Sequence, residues 1–208
     1  MRVRRFGHLL SICALLCSVA AMDSFARAQA DYTLHRPADL LVFGGYGYTK
    51  PDFDTPHNNG FTFGADYDRS FGWRVVPGLE LRGNLNTGQF STEQSFLVGP
   101  RAHVNVAGRF HPYGYFLAGA GVITYPEYGS PVHDGGRVFS AGGGVDVDVA
   151  HNFMFRADFQ YEGWNMGKNS YTKPNGEDFT ITPSTVTVGV TYRIPFKRWL
   201  DARHNYNH

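Results

Sequence analysis

Few residues in this chain combine the type and the neighbourhood needed for covalent chemistry. Ser130, His133 and Asp134 supply a hydroxyl, an imidazole and a carboxylate within one polar stretch, and His57 and His151 stand in other connections. Hydrolytic or acyl-transfer chemistry needs such groups held at hydrogen-bond distance by rigid elements. Neighbours within a single Pro- and Gly-rich connection are held by nothing, so no catalytic residue is assigned. His204 and His208 belong to a flexible C-terminal tail rather than to a metal site. No Cys or His pair has zinc spacing, and no glycine run opens a helix to receive phosphate. Neither a metal nor a cofactor is expected.

The ionic residues are more informative. Arg82, Arg101, Arg156 and Arg193, together with Asp66, Glu80, Asp146, Asp148, Asp158 and Glu162, occur in segments where polar residues alternate with Phe, Tyr, Val and Leu. If the face carrying them is enclosed, their chemistry is mutual pairing, because a buried charge persists only when it is paired and hydrogen-bonded. These ten residues are the expected internal charge network, a packed polar core with a structural role. His103 falls on the same face and reads as hydrogen-bonded core.

The elements that carry these residues are strands. Phe153, Phe155, Ala157, Phe159 and Tyr161 alternate with Met154, Arg156, Asp158, Gln160 and Glu162, and Val186, Val188, Val190, Tyr192 and Ile194 alternate with Thr185, Thr187, Gly189, Thr191 and Arg193. Period two is the signature of extended chain with two unlike faces. The same pattern runs from Phe61 to Asp68, from Leu79 to Asn86 and from Phe96 to Val106. It recurs from Arg137 to Val149, and a first strand covers Leu40 to Tyr48. A fifth strand, Pro112 to Ile123, is so rich in glycine that its two faces do not separate. Pro100 cannot donate to a ladder, so a bulge or weakened pairing is expected there.

Eight strands result. Longer polar connections follow the first, third, fifth and seventh (49–60, 87–94, 125–136 and 165–182), and short ones follow the second, fourth and sixth. That alternation fits an all-β, eight-stranded antiparallel up-and-down transmembrane β-barrel. Each segment is close to the roughly 9–11 residues that a tilted strand needs to cross hydrocarbon.

Orientation follows from volume. An eight-stranded barrel has an interior just wide enough for side chains, and eight faces of Phe, Tyr, Val and Leu would overfill it. The small, polar and ionic faces therefore turn inward and the apolar faces meet lipid. Aromatics near strand ends, Tyr46, Tyr48, Tyr67, Trp73, Tyr113, Tyr115, Tyr125, Tyr161, Trp164, Tyr192, Phe196 and Trp199, are expected as interfacial girdles.

The N-terminus reads as an export signal. Arg2, Arg4 and Arg5 precede an uncharged apolar run from Leu9 to Met22, and cleavage is expected after Ala28 or Ala30. The run is shorter than the roughly 20 residues of a membrane-spanning helix. Cys13 and Cys17 both lie within it, so the mature chain has no disulfide. Cleavage removes Arg2, Arg4, Arg5, Arg27 and Asp23 from the 19 basic and 18 acidic residues of the whole chain, leaving a slightly acidic remainder that does not suit nucleic acid. With 15% aromatic residues and 25 glycines, the remainder fits one all-β domain over 31–196, followed by a short periplasmic tail, 197–208.

Three stretches carry a family likeness. His111-Pro112-Tyr113-Gly114-Tyr115-Phe116-Leu117-Ala118-Gly119-Ala120-Gly121-Val122 resembles a strand of the OmpA-like and opacity-type outer-membrane β-barrels. Gly142 to Asp148 with Phe155 to Tyr161 is similar to their next hairpin, and Thr187, Gly189, Tyr192 and Ile194 fit their C-terminal assembly signal. The family signal ends at an aromatic, here Phe196, whereas this chain continues to His208.

The resemblance implies a monomer in the bacterial outer membrane, in contact with its lipid and lipopolysaccharide. It also implies recognition by the barrel-assembly machinery through Thr187 to Phe196. The role it implies is structural, adhesive or surface-interacting, through long loops and without enzymatic activity. A narrow porin-like diffusion channel and a soluble lipocalin-like binding barrel are the alternatives.

Overall fold

Alternating sequence, with its branched and aromatic residues on one face, forms nine antiparallel strands in the computed structural model, which describes residues 38–52, 56–71, 73–89, 91–127, 130–166 and 180–194. They are β1 (Ala38–Lys50), β2 (Asn58–Arg69), β3 (Val75–Thr87), β4 (Thr92–Val104), β5 (Phe110–Glu127), β6 (Ser130–Ala150), β7 (Phe153–Asn165), β8 (Thr180–Ile181) and β9 (Ser184–Ile194). The expected signal peptide, the lead to residue 37 and the tail lie outside the described residues.

Each strand from β1 to β7 pairs with the next, β7 pairs with β9, and β9 pairs with β1, so eight strands close into a ring. Closure leaves no open sheet edge, which is what allows strands to cross hydrocarbon with every ladder group satisfied. β8 is a two-residue addition outside the ring, pairing Trp164 with Ile181 and Asn165 with Thr180.

The pleat turns the ionic face inward. Phe155 and Phe159 on β7 are 46% and 52% exposed on the outer wall, whereas Arg156 and Asp158 between them are 2% and 4% exposed. The same parity puts Phe61, Phe63, Leu79, Leu81, Phe96, Val98, Val186, Val188 and Val190 outside.

Strand β5 is resolved the same way: Tyr113, Tyr115, Leu117 and Ile123 are inside, and Phe116 and Val122 outside. Its inward face is the bulkier one, which neighbouring glycines accommodate. Gly144 and Gly142 on β6 lie directly across from Tyr113 and Tyr115, and a Cβ at either position would strike the facing phenol oxygen.

Three expectations are corrected. Tyr113, Tyr115 and Trp164 do not join an interfacial girdle; all three are buried in the lumen. Tyr46, Tyr48, Tyr67, Trp73 and Tyr161 are exposed on the outer wall, and Tyr192 packs on Phe153 with ring centroids 4.9 Å apart. Phe196, Trp199 and the Tyr125 side chain lie outside the described residues.

The polar connections are also shorter than composition implied. β3 and β4 pair as far as Thr87 and Thr92, and β5 and β6 as far as Glu127 and Ser130, so most of 125–136 is strand. Polarity signals solvent, but a hairpin leaving the barrel rim still satisfies its backbone by pairing. The regular long-and-short alternation is thus not retained in loop length, although the up-and-down ring is.

At Pro100 the expected weakness is present. The β4–β5 ladder pairs Val98 with Ala118, skips Gly99 and Pro100, and resumes at Arg101 with Tyr115 in unchanged register. The following turn is tight: Val106 and Phe110 exchange backbone hydrogen bonds of 2.8 and 3.1 Å, and Ala107 and Gly108 have φ of 52° and 69°.

Candidate functional site

In the lumen, strands distant in sequence bring reactive polar groups together. At its centre Arg82, on β3, donates from Nε to Glu80 Oε1 at 2.6 Å and from Nη1 to Asp158 Oδ1 at 2.8 Å. Arg156, on β7, donates from Nε to Asp146 Oδ1 and from Nη2 to Asp66 Oδ2, both at 2.7 Å. Arg101, on β4, donates to Asp68 Oδ2 at 2.8 Å and to Asp146 Oδ2 at 3.0 Å, and lies 3.3 Å from Asp66. Each guanidinium bridges carboxylates from at least two strands, so the pairs tie opposite walls of the barrel together.

Aromatic faces complete the cages. The Arg82 guanidinium lies 4.3 Å from the Tyr115 ring centroid, Arg101 4.3 Å from Tyr113, and Arg156 4.1 Å from Phe43. Both phenols also donate to Asp158, at 2.8 Å from Tyr113 and 3.0 Å from Tyr115. Low dielectric strengthens these contacts and makes a lost partner costly.

Of the ten expected network residues, Asp66, Glu80, Arg82, Arg101, Asp146, Arg156 and Asp158 meet in this central cluster. Glu162 is buried but contacts no arginine among the described residues. It instead accepts from Asn84, Ser95, Gln160 and Trp164. Asp148 and Arg193 sit at the mouth on the short-turn side, 3.8 Å apart, and Arg193 also lies 3.8 Å from Asp39.

Sequence reasoning missed Asp68 and Glu93, although both share strand parity with residues it included. It also missed Phe43, Tyr113, Tyr115, Asn84 and Gln160. Parity pointed to Gln160; nothing in the order of residues marked the aromatic cages.

Along the barrel axis the lumen is closed at several levels. On the loop side, Leu97, Leu117, Ile123, Val138, Trp164, Met166 and Ile181 form an apolar cap. On the turn side, a small recess open to solvent is lined by Arg101 and Asp146. Within it His103 Nδ1 lies 3.1 Å from Asp68, and His111 contacts Asn105 and Asp148 at 2.7 and 2.9 Å.

The histidines considered for catalysis are scattered. His57 stacks on Tyr48 at 4.5 Å, the exposed His133 shares a 2.9 Å hydrogen bond with the Thr124 hydroxyl, and His151 is exposed in the β6–β7 turn. Among the described residues no group of three or more His, Cys, Asp or Glu side chains could hold a metal ion.

A closed ring with lipid-type exterior and ion-paired interior agrees with the comparison to known families. The model of the outer membrane protein beta-barrel domain matches residues 9–193. The chain belongs to that family. This makes it a protein of the bacterial outer membrane.

Solved structures of small outer membrane barrels share the fold of this family member. Ail, the attachment invasion locus protein of Yersinia pestis, matches at TM-score 0.51 and 14% identity, covering 76% of this chain and 97% of Ail. Neisserial surface protein A matches at TM-score 0.52 and 13% identity, covering 76% and 100%. At such identities the likeness concerns fold alone. No curated protein matches the sequence.

Proposed function

We propose that this outer membrane barrel is a non-enzymatic protein with a structural, adhesive or surface-contact role, acting through the connections between its strands rather than through its lumen. The observation that carries this reading is the closure of the interior. Arg82 and Glu80 have no exposed surface, Arg156 is bonded to Asp146 on the neighbouring strand and to Asp66 across the barrel, and an apolar cap lies above them. A buried network in which each central arginine is ion-paired holds the walls together but leaves no path for solute. The loop-side connections, including the extended β5–β6 hairpin, remain as the contact surface.

In the same reading the chain is exported by residues 1–30, inserted through recognition of its last strand from Thr187 to Phe196, and embedded as a monomer among outer-membrane lipid and lipopolysaccharide. Two measurements test it. Planar-bilayer recording of the refolded full chain is expected to show no stepwise conductance; steps in a cation or anion gradient would establish the diffusion channel instead. Cells expressing the protein are expected to bind host-cell or abiotic surfaces better than cells expressing a variant with 128–129 and 167–179 replaced by short Gly-Ser turns. Equal binding at equal surface level would remove the adhesive role.

A further inference from the structure

The short-turn rim carries an uneven distribution of charge that the lumenal network does not explain. Its carboxylates face inward and are engaged: Asp68 with Arg101, Asp148 with His111, and Asp39 beside Arg193. Among the described residues its outward cations are Arg69 and Arg74, which bracket the β2–β3 connection, and Arg109 in the β4–β5 turn. These two turns are neighbours on the rim, since β3 and β4 pair from Val75 and Val104 onward. All three arginines are exposed, and none has a carboxylate partner among the described residues. Connections 70–74, 105–109 and 151–152 contain no Asp or Glu.

Between Arg69 and Arg74 stand two exposed rings. Trp73 is 69% exposed and lies 5.6 Å from Phe71, and the Arg69 guanidinium rests 5.3 Å from the Phe71 centroid. Exposed Val75, Val106 and Phe110 continue the apolar wall toward the barrel waist. Paired rings flanked by guanidinium groups supply the two chemistries of a phospholipid headgroup region, apolar contact for the glycerol and upper acyl level and cations for the phosphate. Arginine is suited to phosphate because its planar fork bonds two oxygens at once.

We propose that Arg69, Phe71, Trp73, Arg74 and Arg109 form a site for the phosphate headgroup of an anionic phospholipid of the periplasmic leaflet. The inference rests on the family-level orientation, in which the rim where β1 begins and β9 ends, with connections 70–74, 105–109 and 151–152, faces the periplasm. It predicts a lipid preference confined to one sector of one rim. The β6–β7 turn, with His151 and no arginine, does not share it.

The test uses the refolded full chain in a mild detergent, with native mass spectrometry counting bound lipid as phosphatidylglycerol or phosphatidylcholine is titrated in. Phosphatidylglycerol is expected to be retained at concentrations where phosphatidylcholine is not. Each of Arg69→Gln, Arg74→Gln and Arg109→Gln is expected to lower its apparent affinity about fivefold, as one surface cation typically contributes. Equal retention of the two lipids, or an unchanged preference in the triple variant, overturns the site. So does lipid A binding as tightly as phosphatidylglycerol with the same dependence on these arginines, since the phosphate recognised would then be that of the other leaflet.

Heat-modifiable gel mobility is read in parallel. A barrel that keeps its mobility shift but shows no lipid preference refutes the headgroup site alone, whereas loss of the shift in the wild type refutes the barrel reading itself.

Discussion

Arg82 and Asp158 form a two-point ion pair across the lumen, Nη1 to Oδ1 at 2.8 Å and Nη2 to Oδ2 at 3.2 Å, with Arg82 wholly shielded from solvent. One residue belongs to β3 and the other to β7, so the pair spans the barrel rather than a ladder. Removing Arg82 strips Asp158 of its bonded cation, and removing the Asp158 charge leaves Arg82 with Glu80 alone. Arg82→Met and Asp158→Asn should each lower unfolding free energy by about 3–5 kcal/mol. The double variant should lose less than the sum of the two by about 1–3 kcal/mol. Urea titration in phospholipid vesicles measures all three, and strict additivity would show that the pair is not coupled.

The cage around Arg82 makes a separate claim. Tyr115 Oη contacts Arg82 Nη1 at 2.7 Å and Asp158 Oδ1 at 3.0 Å. Tyr115→Phe keeps the ring that faces the guanidinium but removes the hydroxyl, so it should cost about 1–3 kcal/mol. Tyr115→Ala should cost more, because it also opens a cavity beside Gly142. Both are read from the same urea midpoints.

The outward face is tested by charge. Phe159→Arg places a cation on the lipid side, where the penalty is about 2–4 kcal/mol near the bilayer midplane. The variant should fold into vesicles with that loss of stability, while Lys50→Arg at the rim should not differ from wild type. If Phe159→Arg were neutral or improved solubility without detergent, the apolar face would be facing water.

Two tryptophans report opposite environments. Trp164 is 1% exposed and donates to Glu162 Oε2 at 2.6 Å, whereas Trp73 is 69% exposed on the outer rim. With Trp199 replaced by Phe, single-tryptophan variants should separate in vesicles containing brominated lipid. Trp73 emission should be quenched and Trp164 emission should not. Quenching of Trp164 would place it on the lipid face.

The turn after β4 offers a stabilising change. Ala107 has φ 52°, a left-handed conformation that disfavours any residue with a Cβ. Ala107→Gly should therefore raise the urea midpoint, by an amount equivalent to about 1 kcal/mol. A lowered midpoint would show that the turn does not hold this conformation.

Strand parity made most of the barrel legible in advance. On β7 and β9 each side chain's face follows from whether its position is odd or even, because the pleat has period two. That was enough to put Arg156 and Asp158 inside, and it also pointed to Asp68 and Glu93 once strands β2 and β4 were recognised. On β5 parity failed as a guide. Glycine at 114, 119 and 121 removes the contrast between faces, and Tyr113 and Tyr115 read as interfacial residues when judged by type. Their inward placement depends on Gly142 and Gly144 standing opposite them, a relation between strands that no single stretch contains.

By itself the sequence determined local extension, the apolar and ionic faces of the strands other than β5, and the closed count of eight, since each follows from alternation, turn residues and the volume of a small barrel. The tertiary structure decided which arginine meets which carboxylate, that Glu162 is held by neutral donors, and that polar connections continue as paired hairpin. Those outcomes depend on register and on height along the barrel axis, quantities created only when strands distant in the chain are laid side by side.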